Sequence, residues 1–420
     1  MKCNNACFPV TLHYESPAHG GWGLVRMAAL LPQSHMLFVV PPACGRHSAL
    51  GAVTNGIKDR VSYYFLTEED IVSGSYVDRI FPAVGQMLKM LTPKPKVILL
   101  FGGCIDDLLG TDFPEVTKTL EKAHPDVRFI YCHMDPIQLG TKKAPGITLF
   151  ENIYSLLDKK TNLKNQVNLL GNNIRIMPGS ELGQFFKSNG ITLKQLPECP
   201  SFGEFLDMGN SCLNIVLSVR CIQAAIMLEK KTGTPYMTFL NSYDAHDIRN
   251  FYAGVCSDLG LKFPFDMQKL EQDYENALNH TAKVLNGMNV AIDGQAVMRP
   301  FSLARVLCRH GINVTLVIAD GIPAFEKDAF DWLMEHRPDL EILDPLHHLA
   351  AKYAEHEYGQ TLCIGTEAAL ITGSDKIVNL QEDNGLVCFD GAIELCSLIE
   401  EACNTSRNVM NLIKEANLVV

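Results

Sequence analysis

Short apolar runs recur along the chain, each ended by glycine, proline or a polar break and followed by a longer amphipathic stretch. Runs of β-branched and aliphatic residues between turn residues predict buried strands. They fall at 37–40, 97–101, 127–131, 166–170, 191–193, 213–217 and 237–239, then at 289–292, 313–317, 341–343, 361–364 and 376–378. Helical spacing predicts helices over 21–31, 69–90, 115–123, 221–232, 266–286, 300–310, 325–336 and 391–414, with another around 347–357. Such alternation predicts α/β layers with mainly parallel sheets.

A chain of 420 residues exceeds one ordinary core. The polar run 159–165, KKTNLKN, reads as a linker, and 279–287 as a second boundary. They divide the chain into an N-terminal domain (1–160), a middle domain (161–284) and a C-terminal Rossmann-like domain (285–420). In the last, a strand ends in Asp293 and Gly294 before a helix opening at Pro300, a suitable first helical residue. No G-x-G-x-x-G follows, so no dinucleotide is assigned.

Composition narrows the function. The net charge is −11 and no basic patch stands out, which excludes a typical nucleic-acid partner. No apolar run reaches the ~18 residues of a membrane span. The start, MKCNNACFPV, lacks the apolar core of a signal peptide, so a cytoplasmic protein is expected. In that compartment 14 cysteines do not make a disulfide framework. Most are expected to be small buried hydrophobes, among them Cys212, Cys256, Cys308, Cys363, Cys396 and Cys403. No C-x-x-C pair exists, so any cluster must draw on distant cysteines.

Two cysteines stand apart from that background. In MLFVVPPACGRHSALGA (36–52) an apolar run stops at two prolines and Cys44 follows among small residues. In VILLFGGCIDDLLGTD (97–112) the run ends in glycines and Cys104 follows. Loops at the carboxyl ends of parallel strands are where ligands bind. Two thiols delivered to that edge suggest an iron–sulfur or metal centre.

The chain resembles component 1 of the nitrogenase-like oxidoreductases. The resemblance runs collinearly through 20–48, through FLTEEDIVSGSYVDR (65–79), through CIDDLLGTD (104–112) and through Tyr131, Cys132 and Gly140. It continues in VNLLGN (167–172), in 214–220 with 233–236, and in the C-terminal CFDG (388–391). It implies three Rossmann-like, doubly wound α/β domains around a central cleft, and a dimer of homologous subunits. It also implies a separate ATP-dependent iron–sulfur reductase as electron donor, and a cluster at the subunit interface. In such subunits three cysteines face that cluster. Here two positions match, Cys44 and Cys104, while the first reads SPAHG (16–20). A cubane 4Fe–4S cluster usually needs four thiolates. A two-fold dimer would supply two from each protomer; a heterodimer with a related subunit is the alternative.

The resemblance also implies that the iron–molybdenum cofactor is absent. Its cysteine position falls on Ser218 and its histidine position near Val387. His19, Cys132, Cys221 and Cys388 are secondary metal candidates, each set against an ordinary structural role. Arg220 and His246 are candidates for lining a substrate site, His246 as proton donor. Arg46 and His47 would raise a nearby cluster's potential or contact a partner. Asp106 and Asp107 would start a helix or deliver protons. His347, His348 and His356 read as a solvated helical face. The leading expectation is a reductase passing low-potential electrons through the interface cluster to a small molecule such as a tetrapyrrole, in an anaerobic setting. An assembly scaffold for a metallocofactor and a metal-free ligand-binding protein are the competitors.

Overall fold

A computed structural model describes Tyr14, Ser16 and residues 23–133, 144–158 and 165–416. Its core is built from three sheets, and every strand pair whose register is defined runs parallel. The first sheet holds β1 (Ser34–Val40), β2 (Val61–Phe65), β3 (Val97–Gly102) and β4 (Arg128–His133), ordered β2-β1-β3-β4. The second holds β5 (Gln166–Leu170), β6 (Thr192–Gln195), β7 (Leu213–Val216) and β8 (Tyr236–Thr238), ordered β6-β5-β7-β8. The third holds β9 (Asn289–Asp293), β10 (Val314–Ile318), β11 (Glu341–Leu343), β12 (Thr361–Ile364) and β13 (Lys376–Val378), ordered β11-β10-β9-β12-β13. All twelve predicted strands are present, and β2 is the addition.

The chain divides into two compact units. One comprises Trp22–Asn173 and Lys194–Thr238; the other comprises Ile174–Leu193 and Phe239–Val419, with the N-terminal residues up to Gly21. The linker expected at 159–165 lies almost wholly outside the described residues. Residues 279–285 end the helix Met267–Leu285, and Asn286 closes it in a left-handed conformation.

Several helices differ from expectation for identifiable reasons. The stretch 69–90 is two helices, Glu68–Ser73 and Tyr76–Met90, because Gly74 turns the chain with φ 66°. The stretch 391–414 is likewise two, Cys388–Asn404 and Val409–Glu415. Around 347–357 only a short 3₁₀ helix forms, at Ala350–Glu355. Further helices include Pro42–Thr54, Cys104–Leu109, Pro145–Ser155, Glu181–Ser188 and Ala245–Leu259.

In the first unit the central strands are apolar on both faces. Every residue of β1 and β3 is buried, as a sheet covered by helices on both sides requires. The second sheet carries a buried polar ladder instead. Asn168 and Asn214 are register partners on β5 and β7. The Asn168 amide donates to Asn214 Oδ1 at 2.8 Å and to the Met208 carbonyl at 3.0 Å, and its oxygen accepts from Ser211 Oγ at 2.7 Å. Gln166 donates to Ser211 Oγ at 3.0 Å, closing the network.

In the other unit, buried carboxylates tie helix starts together. Glu326, wholly buried, accepts from the backbone N–H groups of Phe301 (2.8 Å) and Ser302 (3.2 Å) and so caps the helix Pro300–Arg309. Glu181 accepts from the N–H groups of Phe389 (2.7 Å) and Asp390 (2.6 Å) and from the Tyr252 hydroxyl (3.2 Å). Asp390 returns the favour, accepting from the Glu181 N–H at 2.6 Å. Burial, helped by the neighbouring Asp390 charge, pushes the Glu181 carboxyl up to about 7.

Two outcomes follow. Asn168→Ala orphans buried partners and is expected to lower unfolding free energy by about 1–3 kcal/mol in urea titrations. A carboxyl whose folded pKa is raised binds more protons folded than unfolded, so its contribution falls as pH rises from the unfolded value, 4.5, to about 7. The melting temperature of Glu181→Gln is therefore expected to fall less than that of the wild type between pH 5 and pH 7.5.

Candidate metal centre

The site grows from the carboxyl ends of β1 and β3. These strands are parallel neighbours, with Phe38 opposite Phe101. Beyond Val40 the chain meets Pro41 and Pro42, which cannot continue the ladder, and Pro42 opens the helix Pro42–Thr54. Cys44 lies in its first turn and is exposed, its N–H bonded to the Pro41 carbonyl at 3.0 Å. Beyond β3 the chain passes through Gly103 into the helix Cys104–Leu109, and Cys104, half-buried, is its first residue.

Glycine is required at that second turn. A Cβ on Gly102 would collide with the Asp106 carboxylate and the Tyr131 ring. The space is taken because Asp106 folds back to accept from the Gly103 N–H at 2.7 Å. A Cβ on Gly103 would rest 3.4 Å from the Val40 side chain, so the two turns are side by side. Asp106 is buried, and desolvation pushes its carboxyl up to about 6 against the pull of the Gly103 N–H. The helix start expected of these acids forms. Asp107 pairs with His133 Nε2 at 3.0 Å, joining this helix to the end of β4.

The secondary candidates lie elsewhere. Cys132 sits within β4, buried opposite Phe101, and burial holds its thiol well above the ordinary range. Cys221 is buried beside the helix Ile222–Thr232, its thiol likewise pushed up by burial. Cys388 is buried in a left-handed conformation (φ 57°), its thiol raised by burial and by the nearby Glu181 charge. His19 lies outside the described residues, as does the side chain of His47. Arg220 is half-buried in the turn Val219–Cys221. His246 is exposed in the first turn of the helix Ala245–Leu259, its Nε2 3.0 Å from the Asn250 amide. Arg220 and His246 belong to different units. Ser218 is buried, its hydroxyl accepting from the Arg220 N–H at 3.3 Å, and Val387 is buried as well.

Among the described residues no three His, Cys, Asp or Glu side chains converge as a metal site. The donors fit half of a four-thiolate set: two soft sulfurs, neither in a disulfide, at neighbouring strand ends. Sequence reasoning missed exposed apolar residues on the elements that carry or adjoin them. Leu50 and Val53 on the helix after β1, Phe65 at the end of β2, and Leu108 and Leu109 on the helix after β3 are all exposed. Single-sequence periodicity could not reveal them, because each helix is short or rich in small residues. Val72 and Met90, elsewhere in the same unit, are exposed as well. Among the described residues no helix is long and apolar enough to cross a membrane.

Comparison with known proteins agrees with this architecture. The family model described as nitrogenase component 1 type oxidoreductase matches residues 22–403. The nitrogenase iron-molybdenum cofactor biosynthesis protein NifE of Clostridium pasteurianum is 25% identical over 275 residues, 63% of this chain and 58% of that protein. The match thus spans less than two thirds of that relative. Among solved structures, nitrogenase Cp1 at pH 6.5 superposes with a TM-score of 0.71 at 17% identity, covering 93% of each chain. Nitrogenase Cp1 at pH 5 gives 0.62 at 14% identity, covering 94% of this chain and 90% of that one. At such identities the structural likeness speaks for the fold, and the family match over most of the length speaks for descent: the chain belongs to the nitrogenase component 1 type oxidoreductase family.

Proposed function

We propose that this protein is a nitrogenase-like reductase subunit in which Cys44 and Cys104 hold one half of a 4Fe–4S cluster shared with a second, homologous subunit. The observation that carries the reading is the delivery of these two thiols from neighbouring strands, β1 and β3, to one sheet edge. A cubane cluster uses four thiolates, and two protomers related by a two-fold axis supply them without a further donor. The exposed apolar side chains flanking the cysteines support burial of this edge against the partner, a second copy or a related chain.

When bound, the cluster supplies one-electron chemistry at low potential. The chain's own residues shape its setting. The prolines and glycines at the strand ends hold the two turns, and the Asp106 carboxylate locks the second through the Gly103 N–H. Electrons would come from an ATP-dependent iron–sulfur reductase and pass to a small molecule, with tetrapyrroles one candidate class. The residues at the iron–molybdenum ligand positions, Ser218 and Val387, do not favour that cofactor.

A second reading has its own support. The relative NifE is named for cofactor biosynthesis, and its likeness favours a scaffold that assembles or passes on a metallocofactor. The two readings separate on turnover, since a scaffold transfers its cluster and reduces nothing repeatedly.

Iron and sulfide analysis with EPR on anaerobically purified protein tests the centre. About four irons per dimer are expected in the wild type, and their loss in both Cys44→Ala and Cys104→Ala. An iron-free chain after anaerobic reconstitution would contradict the homodimeric cluster. With iron in place, sustained reduction of a dye or tetrapyrrole by the donor-coupled protein is expected of the reductase. One-time release of iron and sulfide to an apo-acceptor would mark the scaffold.

A further inference from the structure

Phe65 is a large apolar side chain left 47% exposed at the end of an edge strand, beside the turn that carries Cys44. It is opposite Val40 in the parallel ladder, and the Leu66 N–H bonds to the Val40 carbonyl at 3.1 Å. It therefore borders the site on the β2 side, as the Cys104 turn borders it on the β3 side. Its ring is held in place. Phe65 stacks on Tyr63 (centroids 5.3 Å, interplanar angle 16°), Tyr63 on Phe38 (5.5 Å, 22°) and Phe38 on Phe101 (4.6 Å, 10°). Tyr63, Phe38 and Phe101 are register partners across three strands, so the row is set by the sheet.

The chain also makes room for this ring. A Cβ on Gly45 would lie 2.8 Å from Phe65 Cε1 and 3.3 Å from Tyr63 Cδ1. Only a residue without a side chain lets the ring lie against the first turn of the helix Pro42–Thr54, next to Cys44. Stacked rings hold an exposed phenylalanine there, and a glycine admits it.

Resting on the proposed cluster, we infer that Phe65 is a positioning residue that shields the Cys44 side of the centre from water and so keeps its reduction potential low. Reduction adds negative charge to the cluster, and water stabilises the more charged state. Keeping water out therefore disfavours reduction and makes the reduced cluster a stronger donor. Gly45 acts with Phe65 by leaving space for the ring.

The test is an EPR-monitored redox titration of the anaerobically purified protein, with deuterium ENDOR of the reduced cluster in D₂O. The potential and the deuterium coupling are expected to rise in the order wild type, Phe65→Leu, Phe65→Ala, with iron content unchanged. Gly45→Ala displaces the ring and is expected to move both readouts in the same direction. If Phe65→Ala and Gly45→Ala keep their iron and leave both readouts where the wild type has them, the shield is overturned while the cluster stands. If Phe65→Ala loses iron, Phe65→Leu decides the matter by the same two readouts. A wild type that stays iron-free both alone and with a homologous partner subunit overturns the cluster reading and the shield with it.

Discussion

The parallel pairing of β1 with β3 is the constraint on which the site depends. Their register, with Phe38 opposite Phe101, sets where each strand stops and where each following turn begins. Slipping it by one residue would turn every side chain of β1 to the opposite face of the sheet. Both strands are buried throughout, so such a slip would cost the packing of the whole layer. The prolines after Val40 and the glycines after Phe101 act only because that pairing brings them level. Cys44 and Cys104, 60 positions apart in sequence, follow neighbouring strand ends for this reason.

The strands were legible because a covered parallel sheet needs continuous apolar runs, and Leu37–Val40 or Val97–Phe101 are read as nothing else. β2 was not, because VSYYF is a half-exposed edge strand following Lys58, Asp59 and Arg60. Helix breaks at Gly74 and between Asn404 and Val409 were hidden inside stretches whose helical spacing continues past the break. The polar ladder of Asn168, Asn214 and Ser211 was illegible in principle. Asparagine in a strand argues against burial until the partner strand is known. The mutual capping of Glu181 and Asp390 joins residues 209 apart, beyond the reach of any local pattern.

The two cysteines were legible because each follows an apolar run and a turn signal. Their surroundings were not. The exposed side chains of Leu50, Val53, Leu108 and Leu109 acquire meaning only once their elements are seen to flank the cysteines. Phe65 carries no signal in the sequence until the stack behind it and the close approach to Gly45 are both in view. The polar interior follows a different logic from the site. Buried acids such as Glu181 and Glu326 spend their lone pairs on helix starts, which fixes how helices pack. The cysteine edge leaves two soft sulfurs without a disulfide on a surface that still has apolar area to cover.

The proposed cluster needs a partner subunit to complete such a surface. The most direct measurement is anomalous diffraction at the iron edge from crystals of the protein purified and grown without oxygen. One compact iron peak is expected on the axis relating two subunits, within bonding distance of Cys44 and Cys104 from each. Iron bound elsewhere in the chain, or a subunit pair with no iron at that axis, would contradict it.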